Sequence, residues 1–304
     1  MRKAFAQALV DLAHADSRVV LLTADLGFGV LDEFAKTHPR RFFNVGVAEA
    51  NMVGLATGLA EAGYIPFLYS IATFASLRPF EQWRNGPILH HLPVRLIGIG
   101  GGFEYGPNGL THAALEDIGA MRLLPSVQII TPADECQARS ALQATYAAPH
   151  PIYYRISKNE GSEIPGLSAN FDVDNIDIVR RGADALIIAA GPIAREALSA
   201  AEVLAERGLQ VAVAVLSSLQ PAPLKALQEL LSDFSIVATV EAHRSSGGLG
   251  SLVAECIADS GTACRLLRCA VDGQVDGMSG SESYMNAYFG LDAAGISTRI
   301  AEAI

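Results

Sequence analysis

The 304-residue chain is poor in positive charge, in cysteine and in long apolar runs, and each shortage closes off a class of function. Lys and Arg number 22 against 32 Asp and Glu, a formal net charge of -10. Sequence-independent binding to nucleic acid or to an anionic membrane draws its energy from Lys and Arg patches, so neither is expected. A local basic pocket for a phosphorylated metabolite stays open. The four cysteines, Cys136, Cys256, Cys264 and Cys269, form no CxxC pair. They read as reduced, mostly buried thiols rather than a disulfide frame or a zinc site. No stretch of about 18 uncharged apolar residues occurs, so no membrane span is expected. The N-terminal MRKAFAQALVDLAHADSR reads as an amphipathic helix, not a secretory signal, and the expectation is a cytoplasmic protein. Nucleotide and nucleophile signatures are missing too. Gly27-Phe28-Gly29 lacks the third glycine of a dinucleotide fingerprint, and neither a GxxxxGK phosphate loop nor a G-x-S-x-G elbow occurs.

What is present is a rhythm. Short β-rich runs such as VVLLTAD (19–25), IPFLYS (65–70), LPVRLIGIGGG (92–102), VQIITP (127–132) and PIYYRIS (151–157) alternate with helix-period segments. That alternation predicts an α/β fold with mostly parallel sheets covered on both faces. Between 161 and 180 the rhythm fails and Gly, Pro, Ser and Asp collect, which marks a linker. A second series follows: ADALIIAAG, a helix over 193–207, QVAVAVLSS, a helix over 222–231, FSIVATVEAH, a helix over 249–259 and CRLLRCAV. Two doubly wound domains are therefore expected, at 1–160 and 181–304, joined by 161–180.

In such sheets ligands bind beyond the carboxyl ends of the strands, and polar residues gather there in the first domain. Glu49, in FFNVGVAEANMVGLATGLA, opens an apolar Gly/Ala-rich helix. Two readings stand: a carboxylate favoured by the helix dipole, or a partly buried proton carrier starved of water by Val45, Val47, Met52 and Val53. In IPFLYSIATFASLRPFEQWRN, Phe67 and Tyr69 share a strand face, and Phe74 and Arg78 share a face of the next helix. GGGFEYGPNGLTHAALED is a glycine-rich loop whose backbone can approach a ligand closely, ending at Thr111-His112. Arg155 closes a further strand end, where it would either meet an anionic substrate or form a surface ion pair of little energy.

Taken in order, these segments resemble the C-terminal half of transketolase, a thiamine-diphosphate enzyme, and more closely the C-terminal subunit of split transketolases. The resemblance runs through Met1-Arg2-Lys3-Ala4, Ala24-Asp25-Leu26, Gly46-Val47-Ala48-Glu49 with Asn51-Met52, Thr73-Phe74-Ala75 with Arg78 and Glu81-Gln82, and Gly109-Leu110-Thr111-His112 with Glu116-Asp117. It continues through Pro132-Ala133-Asp134, Gly247-Gly248-Leu249-Gly250, Gly277-Met278-Ser279-Gly280 and Tyr288-Phe289-Gly290-Leu291, and so covers essentially the whole chain.

The resemblance implies a pyrimidine-binding domain, a transketolase C-terminal domain, and transfer of a two-carbon ketol unit from a ketose phosphate to an aldehyde. It implies cofactor contacts at Asp25, Glu49, Tyr69, Phe74 and Arg78, with Glu49 sharing a proton with the aminopyrimidine N1′. It implies catalytic roles for Glu49 and His112, and substrate contacts at Arg2, Asn108, His112 and Arg155. The family's serine and histidine ligands for the acceptor phosphate fall at Gly29 and in Gly100–Gly102, so that part of its anion site is replaced here. The GDG-begun motif that holds the metal and the diphosphate in the family is absent from this sequence. No metal ligand is therefore expected in this chain. Thiamine diphosphate would be shared, and Mg2+ or Ca2+ held, with a separate N-terminal diphosphate-binding subunit in an α2β2 assembly. A 1-deoxyxylulose-phosphate synthase, the β subunit of an α-ketoacid dehydrogenase and a non-catalytic binding subunit are the competing expectations.

Overall fold

A computed structural model describes residues 1–161, 163–275 and 277–304. The first sheet is built on β1 (Val19–Thr23), β2 (Phe42–Asn44), β3 (Ile65–Ile71), β4 (Arg95–Ile99), β5 (Gln128–Ile130) and β6 (Ile152–Ile156), in the order 5-6-4-3-1-2 and all parallel. Every residue of β1, β3, β4, β5 and β6 is buried, which is why these strands read as unbroken apolar runs rather than alternating ones.

Seven helices clothe this sheet: α1 (Arg2–Ala15), α2 (Asp32–Thr37), α3 (Glu49–Glu61), α4 (Ala72–Leu77), α5 (Phe80–Trp83), α6 (Asp117–Arg122) and α7 (Glu135–Thr145). Alternate residues of each strand serve opposite faces. Val20, Leu22, Leu68 and Leu96 pack with Met52, Val53 and Ala56 of α3, while Val19, Leu21, Phe67 and Ile97 pack with Phe5 and Leu9 of α1 and Ala138 and Leu142 of α7. The start of α7 is set by Asp134, whose side chain accepts the Gln137 N–H at 2.9 Å.

The second sheet contains β7 (Asp177–Arg180), β8 (Ala185–Ala189), β9 (Val211–Val215), β11 (Ile236–Arg244) and β12 (Arg265–Val271), ordered 12-11-8-9-7; β10 (Ser218–Gln220) lies elsewhere. Around it stand α8 (Ala194–Glu206), α9 (Leu224–Ser232), α10 (Leu249–Ser260), α11 (Glu282–Tyr288) and α12 (Ala293–Ala301). The expected α/β architecture of two mostly parallel sheets is thus present. No helix among the described residues is long and apolar enough to cross a membrane.

Three local expectations need correcting. The span 161–180 is not linker to its end, because Asp177–Arg180 pairs antiparallel with β9. The run QVAVAVLSS is not one strand: the chain leaves the second sheet after Val215, and β10 pairs antiparallel with β5 in the first. Ser217 drives that switch, its carbonyl accepting from Thr131 N and its hydroxyl donating to Gln137 Oε1, both at 2.8 Å. Finally Cys136 lies on the surface; Cys256 and Cys269 are buried and Cys264 is half-buried.

The two halves are bolted together by more than β10. Arg122 reaches the Gly247 carbonyl at 2.8 Å and Glu255 at 2.6 Å, and His243 Nε2 accepts the Gly119 N–H at 3.2 Å. Gly119 and Gly247 allow the backbones to touch, since a Cβ on Gly247 would sit 2.9 Å from Gly119 Cα.

Candidate active site

Strand order reverses about β1, with β2 on one side and β3 on the other. A doubly wound sheet leaves its ligand crevice at such a switch point, beyond the carboxyl ends of the strands. The Thr23–Asp25, Tyr69–Phe74 and Gly100–His112 segments all emerge at that end.

Glu49 is the first residue of α3 and is only 3% exposed. Both oxygens of its carboxylate accept from Arg78 Nη1, at 2.9 and 3.1 Å, and one of them also from Ser70 Oγ at 3.2 Å. A charge-assisted bond from a guanidinium fixes a buried carboxylate in direction. Arg78, which follows α4, is 45% exposed, and its guanidinium carbon stands 3.8 Å above the centre of the Phe74 ring. The face shared by Phe74 and Arg78 is therefore real, and its use is cation–π contact. On another side Phe74 meets the His112 imidazole edge-on, with ring centroids 5.1 Å apart. His112 Nδ1 lies 3.0 Å from Thr111 Oγ1. Glu49, Arg78, Phe74 and His112 thus form one continuous cluster drawn from α3, α4 and the glycine-rich loop.

Asp25 flanks this cluster on the exit of β1, at a φ of 57° that few residues other than glycine adopt. Asn44 holds it there: Asn44 Nδ2 donates to the Asp25 carboxylate at 2.8 Å, and Asn44 Oδ1 accepts the Asp25 N–H at 3.1 Å. Tyr69 is buried, with Arg2 and Tyr105 close enough to act on its phenol. Burial pushes the Tyr69 phenol far above its ordinary value, with Arg2 opposing. Asn108 is exposed on the loop between Tyr105 and His112.

Arg155 is not placed as the substrate-facing reading requires. It is 6% exposed, and its Nε and Nη2 donate to Asp117 at 2.7 and 3.0 Å. Nη2 also donates to the carbonyls of Ala114, at 2.8 Å, and of Ala242 in the second half, at 3.0 Å. Asp117 is wholly buried and takes the Tyr153 hydroxyl as well, at 2.6 Å. Burial opposes its ionisation, but Arg155, with His243 behind it, holds the carboxyl below the usual aspartate range. Neither the ligand nor the surface reading of Arg155 describes this ion pair, which is buried within the first half and reaches the second through the Ala242 carbonyl.

Lys158, two residues past the end of β6 and passed over by sequence reasoning, is a further cation beside the glycine-rich loop. Its ammonium lies 4.4 Å from the Tyr105 ring centre. The loop glycines are also differently used than expected. A Cβ on Gly100 would strike the Tyr105 ring, and one on Gly101 would sit 2.6 Å from Arg155 Nε, so these glycines clear space for neighbouring side chains. Ser70 was missed as well, since a serine inside an apolar strand carries no signal of the carboxylate it meets.

Comparison with known proteins gives the family of the chain. Residues 1–162 match the family model for the transketolase pyrimidine binding domain, and 174–296 that for the transketolase C-terminal domain. The chain belongs to the transketolase family. A putative transketolase C-terminal section of Methanocaldococcus jannaschii is 36% identical over 99% of this chain and 95% of its own length. One of the apulose-4-phosphate transketolase subunits of Phocaeicola vulgatus is 32% identical over 97% and 94%. A solved structure of a split gene transketolase, an inactive β4 tetramer, superposes with a TM-score of 0.88 at 32% identity, covering 99% of this chain and 97% of that one. The pyrimidine binding and C-terminal domains of this thiamine-diphosphate-dependent transferase family are thus both present in the chain.

Proposed function

We propose that this chain, joined to a separate diphosphate-binding subunit in an α2β2 assembly, transfers a two-carbon ketol unit between sugars that carry an anionic end. The observation that carries the reading is the clamped carboxylate: Glu49, buried at a helix start, fixed by Arg78 and Ser70, beside an aromatic face and an imidazole. A water-poor carboxylate of this kind suits an aminopyrimidine better than a sugar, because it accepts one directed proton and leaves the ring a flat apolar neighbour in Phe74.

The residues present fit thiamine diphosphate in its pyrimidine half only. Glu49 would hold the pyrimidine, Phe74 and Tyr69 would border it, and Asp25 and Arg78 would flank it. Mg2+ or Ca2+ with the diphosphate would be held by the other subunit, as the family's GDG-begun motif does not occur in this sequence. When bound, the thiazolium supplies the electron sink for cleavage of a ketose C2–C3 bond. The protein's share is to hold the N1′ proton at Glu49, to keep that carboxylate aimed through Arg78, and to offer His112 to a substrate hydroxyl. Phe28 and Val47, 79% and 70% exposed and close in sequence to Asp25 and Glu49, are the apolar rim on which the other subunit would close.

Arg2 and Lys158, with Tyr105 between them, form the cationic edge of the same crevice and suit a phosphate terminus. The relative from P. vulgatus is named for a sugar phosphate. The test is ketol transfer from a ketose phosphate to glyceraldehyde 3-phosphate, assayed with thiamine diphosphate and Mg2+ on this chain alone and mixed with its partner. Activity is expected only in the mixture, and E49A in that mixture should abolish it while folding and assembly persist. An E49A complex that keeps most of its turnover overturns the assignment; transfer from pyruvate alone would replace the ketose donor.

A further inference from the structure

Glu104 is a buried acid that the proposed chemistry leaves unused. It lies on the glycine-rich loop directly before Tyr105, is 5% exposed, and accepts the backbone N–H of Lys158 at 2.6 Å. Burial, with Glu282 adding its repulsion, pushes its carboxyl up to about 7, against the Lys158 N–H, Ser157 and Arg155. Lys158 in turn folds its ammonium onto Tyr105, the next residue after Glu104. The contacts therefore close a ring: Glu104 holds the Lys158 backbone, and the Lys158 side chain returns to the loop that carries Glu104.

The groups around this acid are otherwise engaged. Glu282 of α11 accepts from Asn159 Nδ2 at 2.8 Å, and Arg155 of β6 is bound to Asp117. Beside Glu104 lies a small cavity of about 20 Å3 that Thr131, Gly191 and Glu282 also line, room for about one water. The chain just past the end of β6 is thus held at Lys158 to the loop carrying Tyr105, Asn108 and His112 by a part-buried hydrogen bond.

We propose that Glu104 is a positioning residue for the anionic end of the substrate: it fixes the backbone at Lys158 so that Lys158 and Tyr105 present the cationic edge, without itself touching the ligand. The proposal rests on the ketol-transfer reading. Its test uses the assembled two-subunit enzyme with glyceraldehyde 3-phosphate and, separately, unphosphorylated glyceraldehyde as acceptors. E104A should raise KM for the phosphorylated acceptor about tenfold, the loss of one well-oriented charged contact. Its kcat and its KM for glyceraldehyde should stay within about twofold of wild type by the same reasoning. E104Q, which keeps an oxygen of the same reach for the Lys158 N–H, should restore most of the loss, and E104A should add nothing in a K158A background.

Equal damage to both acceptors, no damage to either, or full additivity with K158A overturns the proposal. If E104A fails to assemble, E104M removes the acceptor oxygens at similar volume and is read the same way. A wild-type complex that transfers to neither acceptor sinks the ketol-transfer reading instead. Glu104 is then judged on the whole chain by 15N-lysine NMR with inorganic phosphate as probe. A Lys158 amide shift that vanishes in E104A supports the positioning role, and an unchanged shift refutes it.

Discussion

Replacing Arg155 by alanine separates the two roles this residue has been given. In the structure the Arg155 side chain is 7% exposed and that of Asp117 0%, and Asp117 takes two bonds from Arg155 and one from Tyr153. R155A leaves Asp117 buried with the Tyr153 hydroxyl alone, and removes a donor from the carbonyls of Ala242 and of Ala114, which keeps the Gly102 N–H. Removing one partner of a buried pair costs about 3–5 kcal/mol, because the survivor stays charged in a poor solvent. Protonation caps that cost: neutralising an ordinary aspartate at pH 7 takes about 4 kcal/mol, at about 1.4 per pH unit above ~3.9. Urea unfolding of the chain at pH 7 should therefore show R155A weaker by about 4 kcal/mol, or about 8 °C in Tm at roughly 2 °C per kcal/mol for a chain of this size. The sign of the pH effect follows. In wild type the Asp117 carboxyl is held low, so its stabilisation is complete above the ordinary aspartate value and is lost as pH falls through its folded value. In R155A the same group prefers its proton, so the deficit should shrink from pH 7 to pH 5. An R155A chain as stable as wild type at pH 7, with a raised acceptor KM in the complex, would refute the bolt and restore Arg155 to the substrate site.

Other consequences are more quickly checked. R78A should lower turnover of the assembled complex about ten- to a hundredfold with the fold intact, since Glu49 loses its aim but not its place; steady-state kinetics with circular dichroism would show it, and an unchanged kcat would contradict the clamp. Burial pushes the Glu241 carboxyl up to about 7, against the N–H groups of Leu249 and Gly250 that it accepts at 2.7 Å. Its neutral form is favoured in the fold, so its contribution to stability declines as pH rises from about 4.3 towards its folded value and is level beyond. Urea midpoints at pH 5 and pH 8 should therefore converge in E241Q; an undiminished gap would say that other groups set the slope. G247A should cost about 2–4 kcal/mol, because its φ of 88° is strained for alanine and its Cβ would press on Gly119 Cα. Thermal melts would measure that loss, and a neutral G247A would mean that the halves yield there.

How much of this was legible in the chain varies with what each feature depends on. The buried parallel strands were, because burial on both faces leaves one kind of sequence for them: VVLLT, ALIIA and VAVAV admit few alternatives once helices alternate with them. The Phe74–Arg78 face was also legible, since four residues along a helix return to one side whatever surrounds them. β10 was hidden, as nothing in LSSLQ says that Ser217 will find Gln137 across a domain boundary.

The exchange of Arg155 for Lys158 shows the same limit at the site itself. Arg155 lies near the end of β6 and Lys158 just past it, and the sequence alone does not say which would meet an anion. What separates them is Ala242, far along the chain, whose carbonyl lies against the Arg155 guanidinium at 3.0 Å while Asp117 takes up its charge. An arginine so enclosed suits a buried fork of carboxylate and carbonyls, which its five planar donors match, whereas a lysine at the strand exit keeps a compact charge for the crevice. Arg155 is thus committed to Asp117, Ala114 and Ala242, which leaves Lys158 for the proposed anionic end. Exchanging the two, as R155K with K158R, should therefore cost stability through position 155 and alter acceptor KM through position 158, with neither change able to offset the other.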